Sequence, residues 1–262
     1  MSSYVVTGAS RGIGLEFVRQ LSADSKNSVF ALVRNKQGAT KLHELARANV
    51  VVLEADVTNA KALQLAAAEV AKATNNKLDY LINNAGKTNH PGFTLDNFPS
   101  PEALEHDLLD NFRTNTIGVV HSTNAFLPLL KNGSAKKVVC LNSALADLDL
   151  TVQVEAIGAA SYSISKAALT MVVAKYAAQY KSMGFTFLCI SPGLVATDML
   201  PAGPETEAEM KMLTAAVARY VPDFKGPISP EVSVKMQLEV IERWTVEQSG
   251  AFVSHAGDRQ WI

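Results

Sequence analysis

The chain alternates short, continuously apolar, β-branched runs with longer segments of helical periodicity, and this alternation most restricts what it can fold into. Strands are expected at Tyr4–Thr7, Ser28–Val33, Val50–Glu54, Leu78–Asn83, Lys137–Asn142, Phe185–Ile190 and Gly250–Ser254. Val50-Val51-Val52-Leu53 is representative, being apolar at every position rather than at every second one. A strand with one wet face needs only alternate apolar residues, so a continuous run implies helices on both faces, as in a parallel sheet. Helices are expected at Gly12–Leu21, Gly38–Ala48, Ala60–Ala73, Pro101–Leu130 in two pieces, Ala159–Met183 and Pro230–Arg243. Thr58 and Asn59 can cap the third of these, and Ser229-Pro230 reads as a cap followed by a first-turn proline. Repeated strand–helix–strand units with right-handed crossovers give an α/β fold, a doubly wound parallel sheet of seven strands in a single domain over 1–262. The least regular stretches, Lys87–Ser100 and Leu194–Ser229, follow strand ends, where such sheets bind ligands.

Composition narrows the function classes. A formal net charge of -1, with no block of like charge, argues against a nucleic-acid binder. No apolar run approaches the roughly 20 residues of a membrane span. The first strand begins almost at Met1, leaving no room for a signal peptide. Cys140 and Cys189 are too few for a disulfide framework and sit in apolar runs, so buried free thiols are expected. His90, His106 and His255 lack metal-ligand spacing and are expected at the surface or in loops; no metal is expected. These readings describe a soluble, cytoplasmic protein.

Between the first strand and the first helix lies Thr7-Gly8-Ala9-Ser10-Arg11-Gly12-Ile13-Gly14. Glycines tighten such a turn and let backbone N–H groups approach a pyrophosphate, which the positive helix end then favours. At the end of the second strand an acid would bond a free ribose 2′-hydroxyl and repel a 2′-phosphate. The chain instead has Leu32-Val33-Arg34-Asn35, and Arg34 with Arg11 could pair with a 2′-phosphate. NADPH/NADP+ is therefore expected over NADH.

Further features follow in order: Asp56-Val57 after the third strand and Asn83-Asn84-Ala85-Gly86 after the fourth. Asn115 and Ser143 come next, then Tyr162-Ser163-Ile164-Ser165-Lys166 with tyrosine and lysine on one helix face, then Ser191-Pro192-Gly193-Leu194-Val195-Ala196-Thr197. With the Gly8-x-x-x-Gly12-x-Gly14 spacing, this series resembles the short-chain dehydrogenase/reductase family, which has a Rossmann-like fold. The long interval between Ser143 and Tyr162 and the ending Gly250-Ala251-Phe252-Val253…Gly257…Trp261 look most like sniffer-type carbonyl reductases and the fungal norsolorinic acid ketoreductase branch.

The resemblance implies a catalytic tetrad of Asn115, Ser143, Tyr162 and Lys166. It implies cofactor contacts from Gly8, Ser10, Arg11, Gly12, Ile13, Gly14, Arg34, Asp56, Val57, Asn84, Ala85 and Gly86. Tyr162 and Lys166 would join them, Lys166 on the nicotinamide ribose, with Pro192, Gly193, Val195 and Thr197 around the carboxamide. Asn83 would be the more structural asparagine, Ser143 would hold the carbonyl oxygen, and Asn115 a water linking Lys166 to solvent.

The chemistry has a definite requirement. Hydride addition to a ketone leaves an alkoxide that must gain a proton. Bringing a phenol of pKa about 10 down to about 7 requires favouring phenolate by about 4 kcal/mol. An ammonium about 4 Å away, at an effective dielectric near 20, supplies that much. Burial opposes it, so help from the oxidised nicotinamide is expected.

The stretch Ala144–Ser161 is longer than the family's usual interval, and Leu148–Val154 within it is expected as a loop or short hairpin over the substrate. Substrate contacts are expected from Leu145, Val154, Leu194 and Met199, with Ala146, Ile157 and Leu200 nearby and Pro201–Gly226 as a lid. That apolar set suits a hydrophobic or aromatic, polyketide-like ketone or aldehyde. Two alternatives remain: NAD-dependent oxidation of a secondary alcohol, and a non-catalytic dinucleotide sensor on the same fold. The resemblance also allows a homo-oligomer paired through Glu102–Leu130 and Ala159–Met183.

Overall fold

In the computed structural model, residues 1–89, 92–197 and 224–261 are described, with positions 211, 214, 215, 217 and 218 between the last two stretches. Seven strands, β1 (Ser3–Thr7), β2 (Ser28–Val33), β3 (Val50–Glu54), β4 (Tyr80–Asn83), β5 (Lys137–Leu141), β6 (Thr186–Ser191) and β7 (Phe252–Ser254), form one sheet in the order β3-β2-β1-β4-β5-β6-β7. Every pairing is parallel. The doubly wound, single-domain α/β fold is the one expected, and the strand order reverses between β1 and β4.

The continuous apolar runs divide between two cores. Val5, Leu81 and Val138 face one side, where Leu63, Phe126, Leu130 and Leu169 cover them from α3 (Ala60–Thr74), α5 (Gly118–Asn132) and α7 (Ala160–Tyr180). Their chain neighbours Val6, Ile82 and Val139 face the other, under Phe17 and Val18 of α1 (Gly12–Leu21) and Val234 and Ile241 of the helix Pro230–Arg243, here α8. Asn59 caps α3 by accepting from the Ala62 amide at 3.1 Å, whereas Thr58 bonds the Asp56 carboxylate. Ser229 caps α8 ahead of Pro230. Both thiols are free and buried, as expected, and burial pushes that of Cys140 up to about 12.

Three local expectations change. Only Thr40–His43 (α2) is helical within Gly38–Ala48. The two pieces of Pro101–Leu130, α4 (Pro101–Phe112) and α5, are joined without a break by a π-helical turn, Arg113–Ile117. The expected loop or hairpin at Leu148–Val154 is instead a short helix, α6 (Leu148–Gln153), capped by Asp147 accepting from the Leu150 amide at 2.9 Å. Among the described residues no helix is long and apolar enough to cross a membrane.

Candidate active site

The strand-order reversal opens a cleft at the carboxyl ends of β1 and β4, and the glycine loop lies in it. Gly8 has φ +66, and a Cβ there would come within 2.8 Å of the Ala85 Cα, so only glycine lets the two strand ends close. A Cβ on Gly14 would overlap the Gly8 carbonyl oxygen and the Asn84 side-chain nitrogen. Thr7 and Asn84 stitch the junction: the Asn84 and Ala85 amides donate to the Thr7 hydroxyl at 3.1 and 3.0 Å, and the Asn84 amide group donates to the Thr7 and Gly8 carbonyls. Asn84 is therefore structural too, like Asn83, which is buried and bonds Thr123.

The first turn of α1 receives no side-chain cap, so its amides suit an external anion, and Ser10, Arg11, Gly12 and Ile13 surround that end. Arg11 and Arg34 are both exposed there. The acid nearest in register to the β2 end is Glu54, opposite Val33, and its carboxylate accepts from the Lys36 amide at 2.9 Å. Asp56 forms its own turn with Thr58, and Val57 packs under Gly118. These residues fit a bound dinucleotide.

Across the cleft, the Pro192-Gly193 turn brings Thr197 within 3.7 Å of a Cβ built on Gly12. Leu194 to Ala196 is pinned by a bridge to Ile228: the Ala196 amide donates to the Ile228 carbonyl and the Ile228 amide to that of Leu194. Met199, Leu200, His90 and most of Pro201–Gly226 lie outside the described residues. His255, expected at the surface or in a loop, lies in the turn after β7 but is buried there against the Pro192-Gly193 turn, its Cε1 2.9 Å from a Cβ built on Gly193. Its Nδ1 has no partner among the described residues, and burial pushes its pKa down, partly offset by Asp258. Nothing in its local sequence marks it, because its neighbours come from the β6 turn.

The tetrad residues converge. Asn115 sits in the π-helical turn, a distortion frequent at functional sites. Its side chain clamps Lys87, accepting from the amide and donating to the carbonyl, both at 2.9 Å, and also donates to the Ser165 hydroxyl. A Cβ on Gly86 would lie 3.3 Å from Asn115 Oδ1 and 3.5 Å from Lys166 Nζ, which places all three together. Lys166 is buried, donates to the Leu141 carbonyl at 2.6 Å, and holds its ammonium 5.7 Å from the centre of the Tyr162 ring. Desolvation pushes its pKa down to about 8.

At Tyr162 the expected opposition from burial is visible. Its hydroxyl is hydrogen-bonded to Ser143, which favours phenolate, yet burial outweighs this and pushes the phenol up to about 12. Leu145 follows Ser143 in a single helical turn, and Val154 packs with Leu150 and Trp261. Among the described residues no group of histidine, cysteine and carboxylate side chains could hold a metal.

A model of the short chain dehydrogenase family matches residues 3–208. The short-chain dehydrogenase/reductase AacuF of Aspergillus aculeatus is 45% identical over 268 residues, covering 100% of both chains. The short chain dehydrogenase virK of Hypocrea virens is 42% identical over 275, again covering 100% of both. Among solved structures, the NADPH-bound carbonyl reductase from chicken fatty liver superposes with a TM-score of 0.81 at 30% identity, covering 98% of both chains. The carbonyl reductase Sniffer of Drosophila melanogaster gives 0.80 at 25%, with the same coverage. A family model over most of the chain, and relatives matched from end to end, leave one conclusion: the chain belongs to the short-chain dehydrogenase/reductase family and is an oxidoreductase.

Proposed function

We propose that this protein reduces a ketone or aldehyde to the alcohol with NADPH, Tyr162 donating the proton. The observation that carries the reading is the convergence of three groups: the Tyr162 phenol is hydrogen-bonded to Ser143 and shares a helix face with Lys166, whose ammonium lies 5.7 Å from the centre of its ring. A phenol placed between a hydroxyl that can hold the carbonyl oxygen and an ammonium is positioned to give its proton to the forming alkoxide. Ser143 holds the carbonyl oxygen and stabilises its growing charge. The Lys166 ammonium favours the phenolate left behind. NADPH, held by the glycine loop and by Arg11 and Arg34, supplies the hydride when bound. Asn115 contributes by fixing Lys87 and Ser165, and the latter donates to the Tyr162 carbonyl at 2.6 Å.

The exposed Leu148, Val152 and Ile157, between Ser143 and Tyr162 in the chain, favour an apolar, polyketide-like substrate. A panel of aromatic ketones, aldehydes and quinones, followed by loss of NADPH absorbance, tests the reading. Turnover of apolar members is expected. Stoichiometric NADPH binding without turnover of any member would turn it towards a dinucleotide sensor.

Two outcomes follow for the cofactor and for pH. Replacing Arg34 with alanine removes a charge-assisted contact worth about 1.5 kcal/mol at an exposed site, so the NADPH Kd rises about tenfold while that of NADH stays unchanged. Equal losses for both cofactors would refute a 2′-phosphate contact. The ammonium of Lys166 is present below about pH 8 and lost above it. Reduction therefore slows as pH rises through that value, seen as an alkaline limb in kcat/KM; a rate that climbs there would contradict the role of the charge.

A further inference from the structure

The interval between Ser143 and Tyr162 does not hang free: the chain terminus holds it. Asp147, only 6% exposed, caps α6 with one carboxylate oxygen and takes the Arg259 guanidinium on the other at 2.6 Å. Leu150 and Val154, one turn apart, pack with Trp261, and Ala144, beside the catalytic serine, joins the same cluster. Trp261 is 2% exposed and lies against Phe252 of β7 with ring centroids 4.4 Å apart, while Arg259 stands over its ring. The tail therefore joins the sheet edge to α6.

From α6 a hydrogen-bonded path leads to the reacting group. The Thr151 hydroxyl donates to the Leu145 carbonyl at 3.3 Å, and the Leu145 amide donates to the Ser143 hydroxyl at 3.3 Å. We propose that Arg259 and Trp261 are positioning residues, setting the place of α6 and through Thr151 and Leu145 that of the Ser143 hydroxyl, and thus the fit of the carbonyl substrate. This rests on the carbonyl-reduction reading. The tail has no contact with the glycine loop among those described, so its effect falls on the carbonyl and spares the dinucleotide.

The test uses the whole chain with phenanthrenequinone as carbonyl probe. Trp261→Ala lowers kcat/KM about tenfold, a loss expected from a small misplacement at a reacting centre. Arg259→Ala lowers it about threefold, as suits a pair with one exposed partner, and Arg259→Lys restores most of it. NADPH Kd stays unchanged in all three. Because Trp261→Ala could disturb folding, Arg259→Ala is also combined with Thr151→Val. If the path is real, the two losses are not additive, since each breaks the same link. Additive losses, unchanged kcat/KM in both tail variants, or a parallel rise in NADPH Kd would each overturn the proposal. Absence of turnover by the unaltered protein would sink the carbonyl-reduction reading, and this proposal with it.

Discussion

Tyr162→Phe is expected to lose reduction while keeping its dinucleotide. The substitution removes one hydroxyl from a ring that stays in place on α7, so neither the glycine loop nor the Lys166 contact to Leu141 is disturbed. What goes is the proton donor. General-acid contributions of this kind are about 10²–10⁴-fold, and a loss of that size in kcat is expected. Ser143 keeps its bond to the Leu145 amide and can still hold a carbonyl oxygen, so binding of the carbonyl should change little. Steady-state kinetics with a titration of NADPH fluorescence separates the two. Turnover retained within a few-fold of the unaltered protein would mean that another group delivers the proton.

Gly14→Ala carries the second large effect, and it falls on the cofactor. The added methyl would overlap the Gly8 carbonyl oxygen and the Asn84 side-chain nitrogen, neither of which is a free-swinging group. Asn84 is tied to the Thr7 and Gly8 carbonyls, and Gly8 is already pressed against Ala85. The loop must open to admit the methyl. Overpacking of this kind costs about 1–3 kcal/mol. Where the cost is borne at the phosphate cradle, the NADPH Kd rises about 5- to 150-fold. The melting temperature of the unliganded protein should also fall. A variant that binds NADPH as tightly as the original would show that the loop does not cradle the phosphates.

The parts of the molecule written in local patterns were legible from the sequence. The continuous apolar run Val138–Leu141 marked a sheet covered on both faces, and its residues divide between the two cores; Val50–Leu53 reads the same way but forms the edge strand, where Val51 is exposed. Asn84 and Gly86 follow directly from a strand, and Tyr162 and Lys166 from helical spacing, so their convergence needed only the fold. The segment Leu148–Gln153 misled because Leu148, Leu150, Val152 and Val154 alternate with period two, as a strand would. Its helix is decided from elsewhere: Asp147 caps it, and Arg259 and Trp261, over a hundred positions on, hold its Leu150 and Val154 side. The π-helical turn carrying Asn115 shows no special composition, only continuous helical residues. The acidity of Tyr162 was the subtlest point. Spacing brings an ammonium near the phenol, but burial, a property of the assembled fold, opposes and outweighs the remaining stabilisation of phenolate.

The decisive measurement is a crystal structure of the protein with NADPH and a poorly reactive aromatic ketone bound together. The Tyr162 and Ser143 hydroxyls should both lie within about 3.2 Å of the carbonyl oxygen, a hydrogen-bonding distance, with the nicotinamide beside the carbonyl carbon. A ketone bound with its oxygen facing other groups, or a Tyr162 ring rotated out of reach of it, would contradict proton delivery by this phenol.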